Sequence, residues 1–160
     1  LNDGKWHTVF LNKWLDKQGK YLFKFKFNGN LRGKLNEISI GLVNKNYNKF
    51  NIINTGSTVG IGDDINSYGW YCCGELHHKL TCIWHNYSAL KYIKPPVALL
   101  NNEEFNLTII INKKLNKCLV KIYHHRFKNK YETFYVPNIP VKVGVTMFCK
   151  GDPISIQLIN

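Results

Sequence analysis

The sequence has few arginines and few acidic residues. Two arginines stand beside twenty lysines, aspartate and glutamate together number ten, and the formal net charge is +12. Bidentate recognition of phosphate or guanine favours arginine over lysine, and neither an arginine–glycine repeat nor an aromatic ribonucleoprotein signature is present. Twenty asparagines accompany the lysines, so part of the basicity reflects compositional bias. A solvated lysine surface is the simpler interpretation, and a nucleic-acid or acidic-lipid surface is the alternative.

The sequence also lacks long apolar runs. Ile109-Ile110-Ile111 ends at Asn112, far short of the roughly 18 residues that a membrane helix needs. The chain opens on Leu1 without a signal-peptide pattern, so we expect it to be a piece of a longer protein. With 160 residues, of which 44% are hydrophobic, it can bury a sizeable core as one domain.

The five cysteines do not form a regular disulfide pattern. Their number is odd, their spacing is irregular, and Cys72 and Cys73 are adjacent, which excludes the framework of a small secreted domain. The free thiols indicate a reducing compartment. We therefore expect a cytoplasmic or nuclear protein.

One segment concentrates the side chains that bind soft metals. Within fourteen residues the sequence places Cys72, Cys73, His77, His78, Cys82 and His85. Four such ligands converging tetrahedrally hold zinc, and a cysteine–histidine nucleophile is a second alternative. However, paired CxxC spacing is missing, and Cys82 alternates with apolar neighbours as an inward strand residue does. We therefore expect no bound metal and no cofactor, and zinc bound by some of these six residues is the alternative.

Other catalytic signatures are missing. There is no G-x-S-x-G elbow, and the carboxylates of Asp63-Asp64 and Glu103-Glu104 are neighbours that a strand would point to opposite faces. The Gly60-Ile61-Gly62 segment lacks the third glycine and the helix that cradle phosphate. We therefore expect a binding domain rather than an enzyme.

Apolar and polar residues alternate with a period of two along most of the chain, which predicts half-buried strands. Several short strands separated by turn residues are typical of a sandwich or barrel. The predicted strands cover 23–27, 38–42, 59–61, 68–72, 80–84, 107–111, 119–123, 141–147 and 154–158. Among the core residues we expect Phe25, Trp70, Trp84 and Ile109.

The N-terminal region has a different spacing. Leu11, Trp14, Leu15 and Gln18 follow a helical spacing that ends at Gly19, which predicts one short helix. An edge strand from Trp6 to Leu15 is the alternative. No internal repeat and no Gly- or Pro-rich linker divides the chain.

The run Ser67-Tyr68-Gly69-Trp70, preceded by the glycine-rich Val59 to Asp64, resembles the signature segment of the SPRY (B30.2-like) domain. Other parts of the chain are similar to further strands of that family, namely Gly19 to Phe27, Ile38 to Leu42, Leu107 to Tyr123 and Ile139 to Val145. The resemblance covers residues 19–160. Lys24 and Asn112 depart from the acidic residues that the family usually has there.

This resemblance implies an all-β fold: a bent antiparallel β-sandwich of two sheets, concanavalin-like, with at most one or two short helices. It implies a single, monomeric domain over residues 1–160 that binds a partner protein or short peptide through loops at one end. Such domains are common in adaptors, so ubiquitin-ligase or scaffold components are implied partners. The loops 28–34, 44–55 and 147–151 match the segments that shape the family's ligand surface.

Within these loops six residues are predicted to bind the partner: Arg32, Tyr47, Phe50, Asn51, Phe148 and Lys150. We expect the loop after residue 44 and the loop after residue 147 to open on the same end. Exposed aromatic rings flanked by amides and ammonium groups suit an extended peptide with acidic or amide side chains. The alternative function is binding of nucleic acid or another acidic surface through the lysines.

Overall fold

The computed structural model describes residues 5–28, 38–47, 61–62, 65–71, 75–78, 81–85, 104–124, 131–149 and 155–159. Within these ranges the backbone alone is described at 5–6, 27, 71, 75–78, 81–85, 105, 124, 131–132, 148–149 and 156.

The described residues form eleven β-strands and no helix. The strands are β1 (Lys5–Leu15), β2 (Gly19–Asn28), β3 (Ile38–Asn44), β4 (Ser67–Tyr71), β5 (Glu75–His78), β6 (Thr81–His85), β7 (Glu104–Asn112), β8 (Lys117–His124), β9 (Tyr131–Pro137), β10 (Val141–Cys149) and β11 (Ser155–Ile159).

The strands form two antiparallel sheets. The six-stranded sheet has the order β1-β10-β3-β4-β5-β6, and the five-stranded sheet has the order β11-β2-β7-β8-β9. Their apolar inner faces share one hydrophobic core, as expected of a sandwich. The predicted all-β sandwich of two antiparallel sheets is therefore confirmed.

Alternation fills the core from both sheets. Every second residue of β7, from Leu107 to Ile111, is buried, and the residues between them are half-exposed. Phe25, Trp70 and Ile109 are buried as predicted. The side chain of Trp84 is not among those described, so its place in the core stays a prediction.

The predicted N-terminal helix is wrong. Residues 5–15 form β1, the edge strand that pairs with β10, which confirms the alternative prediction. The pairing shifts between Phe10, opposite Gly144, and Trp14, opposite Lys142. Two extra residues therefore lie on β1, and Leu11 and Leu15 both pack towards the core. This irregularity produces a spacing of four that imitates a helix.

One other strand assignment needs revision, and two strands are added. Ile61 lies in a turn rather than in a strand, and Val59 lies outside the described residues. Conversely, β5 and β9 were not expected. In the seven-residue β9 the buried Phe134 and Val136 alternate with exposed neighbours, and this alternation is the signal that could have predicted the strand.

Candidate interaction surface

Three glycines lie side by side across the middle of the six-stranded sheet. In the register of β10, β3 and β4, Gly144 is opposite Gly41, and Gly41 is opposite Gly69. They lie on the outer face, because Ile40 and Leu42, on either side of Gly41, point into the core. Without side chains, this row leaves a trench across the outer face. We call it the glycine row.

Ile61 fills the glycine row and is fully buried. A Cβ atom added at Gly41 would lie 2.6 Å from Ile61 Cγ2 and 2.9 Å from Gly69 Cα, and one added at Gly144 would lie 2.6 Å from Ile61 Cδ1. Side chains other than hydrogen at these positions would therefore displace Ile61. The glycines are needed because the segment approaches the sheet at van der Waals distance.

Hydroxyl groups of the sheet satisfy the backbone of this segment. The Ile61 amide donates to Thr146 Oγ1 at 3.0 Å, and Ser39 Oγ donates to the Ile61 carbonyl at 3.2 Å. The Gly62 amide donates to Ser67 Oγ at 2.9 Å. Ser39, Ser67 and Thr146 are themselves buried, so each bond replaces water that the buried groups have lost. The serine of the signature segment thus has a structural role.

Tyr47 lies over the same outer face. Its amide donates to the Asn44 carbonyl at 3.1 Å, and its ring meets Phe10 edge-on, with centroids 5.8 Å apart and planes at 68°. The side chain is half-buried, and its hydroxyl oxygen is shielded from solvent. The expectation of a freely exposed tyrosine is therefore wrong, whereas its role in binding stays a prediction.

An asparagine network fixes the backbone on which Tyr47 sits. Asn44 Nδ2 donates to Asn66 Oδ1, and Asn66 Nδ2 donates to the Asn46 carbonyl, both at 3.2 Å. The Asn46 amide donates to Asn44 Oδ1 at 2.9 Å, which forms an Asx turn. Sequence reasoning treated this stretch as a loop and did not identify the network, because nothing in a run of asparagines shows which amides pair.

The two predicted binding loops leave the six-stranded sheet at opposite ends. Asn44, where β3 ends, is opposite Val141, where β10 begins, whereas Phe148 is opposite Trp6 near the other end. The expectation that the loops open on the same end is therefore wrong. The chain after β3 turns back so that Tyr47 meets Phe10. Gly144, the register partner of Phe10, is four residues from Phe148 along β10, which is about 13 Å.

The side chains of the other predicted binding residues lie outside the described part of the chain. Arg32, Phe50, Asn51 and Lys150 are not among the described residues, and only the backbone of Phe148 is described. Their assignment stays a prediction.

The soft-ligand segment forms a hairpin of β5 and β6. Its register sets His77 opposite Cys82 and Glu75 opposite His85, while Cys72 and Cys73 lie outside the described residues. Among the residues that the structure describes, no three His, Cys, Asp or Glu side chains group to hold a metal. The absence of bound zinc stays a prediction.

Cys118 lies on the inner face of β8 and is fully buried. Burial raises the pKa of its thiol to about 12, against a smaller opposing effect of the hydrogen bond to the Val136 backbone. The thiol is therefore neutral at physiological pH, and this cysteine is a core residue rather than a nucleophile. Burial also raises the pKa of Tyr68.

Among the described residues there is no helix with the length and apolarity needed to cross a membrane.

Comparisons with known proteins agree with this architecture. No family model matches the sequence, and the search of curated proteins gives no relative. Among solved structures, the SPRY domain of human HERC1 aligns with a TM-score of 0.66 and 9% identity, covering 98% of this chain and 84% of that one.

Two further structures extend the comparison. A human SPRY domain aligns with a TM-score of 0.60 and 13% identity, over 98% of this chain and 86% of that one. Lectin I-B4 from Griffonia simplicifolia aligns with a TM-score of 0.51 and 8% identity, over 96% and 78%. At such low identity the likeness concerns the fold alone. The chain has the fold of SPRY domains.

Proposed function

We propose that the chain is a non-catalytic interaction module, an adaptor that binds a partner protein or short peptide on the outer side of β1, β10 and β3. The observation that carries this proposal is the contact of Tyr47 with Phe10. It sets a half-exposed aromatic pair on top of a sheet that is already packed. Recognition residues on loops are effective when a rigid scaffold positions them.

The base of this surface is held in place before any partner binds. Ile61 fills the glycine row, and the three asparagines fix the turn that carries Tyr47. A partner therefore does not have to order this segment, which lowers the entropic cost of binding. This rigidity favours the turn after β3 as the centre of the surface.

Further predicted residues extend the surface from this centre. Phe50 and Asn51 follow Tyr47 within four residues of the sequence, so we include them in the proposed surface. Phe148 marks the far end, along the β1–β10 pair. Arg32 precedes β3 and Lys150 follows β10 in the sequence, and the start of β3 pairs with the end of β10 at that far end. We therefore assign these two residues to a partner that reaches along the sheet. A short extended peptide with acidic or amide side chains suits this track.

The proposal is tested by selecting binders from a random peptide library on the purified chain. Tyr47→Ala is expected to weaken the selected peptides by about 1–3 kcal/mol, the usual range of a hot-spot residue. Because Tyr47 also packs on Phe10, Tyr47→Ala lowers stability as well. Tyr47→Phe keeps the ring and provides a folded variant for the same titration. Tyr135→Ala, an exposed tyrosine of the other sheet, is the matched control.

Two results would contradict the proposal. If Tyr47→Ala and Tyr135→Ala bind the selected peptides equally well, the peptides contact another surface. If no peptide is enriched over an unrelated β-sandwich domain, the chain is not a peptide-binding module of this kind.

A further inference from the structure

The outer face of the five-stranded sheet is basic, and no described residue covers it. Because alternate residues of β7 and β8 point into the core, those between them face outward. Across the sheet, Lys20 is level with Ile110, which is level with Leu119. The lysines on this face are Lys20, Lys24 and Lys26 of β2 and Lys117 and Lys121 of β8.

Little negative charge opposes these lysines. On the strands of this face, and among the described side chains, the one carboxylate is that of Glu104. Its Oε2 lies 2.7 Å from Lys24 Nζ. Glu104 therefore offsets one of the five positive charges, and the described side chains of this face keep a net charge of about +4.

The turn between β7 and β8 extends the basic face. It carries two exposed lysines and Leu115, which is 59% exposed. The Lys113 amide donates to Gln18 Oε1 at 2.9 Å, and the Leu115 amide donates to Asn112 Oδ1 at 3.2 Å. The turn is therefore held in one position beside the sheet.

Exposed apolar side chains lie among the lysines. Leu22, between Lys20 and Lys24 on β2, is 66% exposed, and Tyr135 on β9 is 59% exposed. We call the whole surface the lysine–leucine face. It comprises Lys20, Leu22, Lys26, Lys113, Lys114, Leu115, Lys117, Lys121 and Tyr135.

We propose that the lysine–leucine face binds the anionic headgroups of a membrane surface. Charge complementarity is the first reason, because each lysine close to an anionic leaflet strengthens binding about fivefold. Exposed leucines provide the second reason, since they supply the apolar area that enters the headgroup boundary.

The same side chains are less suited to two other partners. The described cations of this face are all lysines, whereas protein interfaces are enriched in arginine and depleted in lysine. Single-stranded nucleic acid needs open aromatic faces on which its bases stack. The ring of Tyr135 instead carries the Lys117 ammonium at 4.7 Å from its centroid. The lysine–leucine face lies on the other sheet from Tyr47. Membrane binding by this face therefore goes beyond the proposed function and does not depend on it.

The test is flotation of the purified chain with vesicles at low ionic strength. Binding is expected to vesicles of 70% phosphatidylcholine and 30% phosphatidylserine, and not to phosphatidylcholine alone. High salt is expected to release the chain, because exposed charges are then screened. No binding to the anionic vesicles at low salt would overturn the proposal.

Charge-matched variants separate this face from the general basicity of the chain. The variant Lys20→Glu/Lys114→Glu/Lys121→Glu is expected to lose at least about a hundredfold in vesicle affinity, from about fivefold for each lysine. The control Lys13→Glu/Lys45→Glu/Lys142→Glu has the same net charge and is expected to lose less than about fivefold. Equal losses in both variants would overturn the proposal.

Two further outcomes bear on the choice of partner. Leu22→Ser/Leu115→Ser is expected to weaken vesicle binding by about tenfold at an unchanged melting temperature, and an unchanged affinity would overturn insertion by this face. Single-stranded RNA is titrated in the same buffer. If the chain binds RNA more tightly than the anionic vesicles, and the lysine variant abolishes that binding, the face is a nucleic-acid surface instead.

Discussion

The middle of the six-stranded sheet is covered on its outer face, whereas no described residue covers the outer face of the five-stranded sheet. In β3 every residue from Ile38 to Val43 is buried, because Ile61 and Gly62 lie over the outer side. In β7 burial alternates, because nothing among the described residues covers its outer side. Two sheets that share one apolar core thus differ on the described parts of their outer faces.

Side-chain size and hydrogen bonding explain the difference. Glycine, serine and threonine on the six-stranded sheet let a second stretch of backbone approach and satisfy its amides and carbonyl. Lysine, leucine and tyrosine on the five-stranded sheet keep other backbone away and stay in water. The outer residues therefore decide whether a sheet carries another layer or presents a surface.

The largest effect is expected from emptying the glycine row. Ile61→Ala should lower the free energy of unfolding by about 2–5 kcal/mol, since a fully buried side chain leaves a cavity. Ile65→Ala, four residues away and 58% exposed, should change it by less than about 0.5 kcal/mol. Urea denaturation of both variants measures the difference. Equal losses of unfolding free energy in the two variants would mean that the Ile61 side chain is not packed in the glycine row.

Filling the glycine row from below should cost somewhat less. Gly41→Ala is expected to destabilise by about 3 kcal/mol and Gly144→Ala by about 1 kcal/mol, within the range for overpacking. The added methyl at Gly41 meets rigid backbone, the Tyr68 carbonyl and Gly69 Cα, whereas at Gly144 it meets the ends of Ile61 and Phe10. Thermal unfolding ranks the two variants. The reverse order would contradict the close approach at Gly41.

The buried Cys118 thiol should make the stability of the chain depend on pH in the alkaline range. Because burial holds the pKa of Cys118 at about 12 against 9.0 ordinarily, the thiol ionises first in the unfolded chain. The stability that this neutral thiol provides is complete below pH 9 and is lost as the pH rises towards 12. Between pH 8 and pH 10, wild type should lose about 1.4 kcal/mol more than Cys118→Ala in urea titrations. Parallel losses would place Cys118 in water.

The smallest effect is expected on the open face. Leu22→Ser should change the free energy of unfolding by less than about 0.5 kcal/mol, because Leu22 is already mostly in water. The matched control, Leu42→Ser in the covered sheet, should cost at least about 2 kcal/mol. A large loss in Leu22→Ser would indicate that the five-stranded sheet is covered too.

Local alternation was sufficient to predict the inner faces. Phe25, Trp70 and Ile109 could be assigned to the core because a period of two needs only neighbouring residues. The strand pairing could not be predicted in this way, so the irregularity after Phe10 was interpreted as a helix. The direction of β3 relative to β10 was missed for the same reason, and with it the opposite ends of the two binding loops.

The candidate site was less predictable than the fold. Tyr47 was identified as an aromatic residue in a polar stretch, but its contact with Phe10 joins residues 37 positions apart and depends on the β1–β10 pair. Ile61 was assigned to a strand because it alternates with glycines. Its actual place follows from hydroxyls on three different strands, which no local pattern reveals.

The bonds that hold Ile61 also determine when this segment can dock during folding. Ser39 lies 22 positions from Ile61, but Thr146 lies 85 positions away, and Thr146 in turn meets Thr8 across 138 positions. The segment can therefore settle only after the most distant strands of the chain have paired, and long loops close slowly. Once it has settled, the buried Ile61 and Gly62 amides should exchange their hydrogens only when the six-stranded sheet opens as a whole.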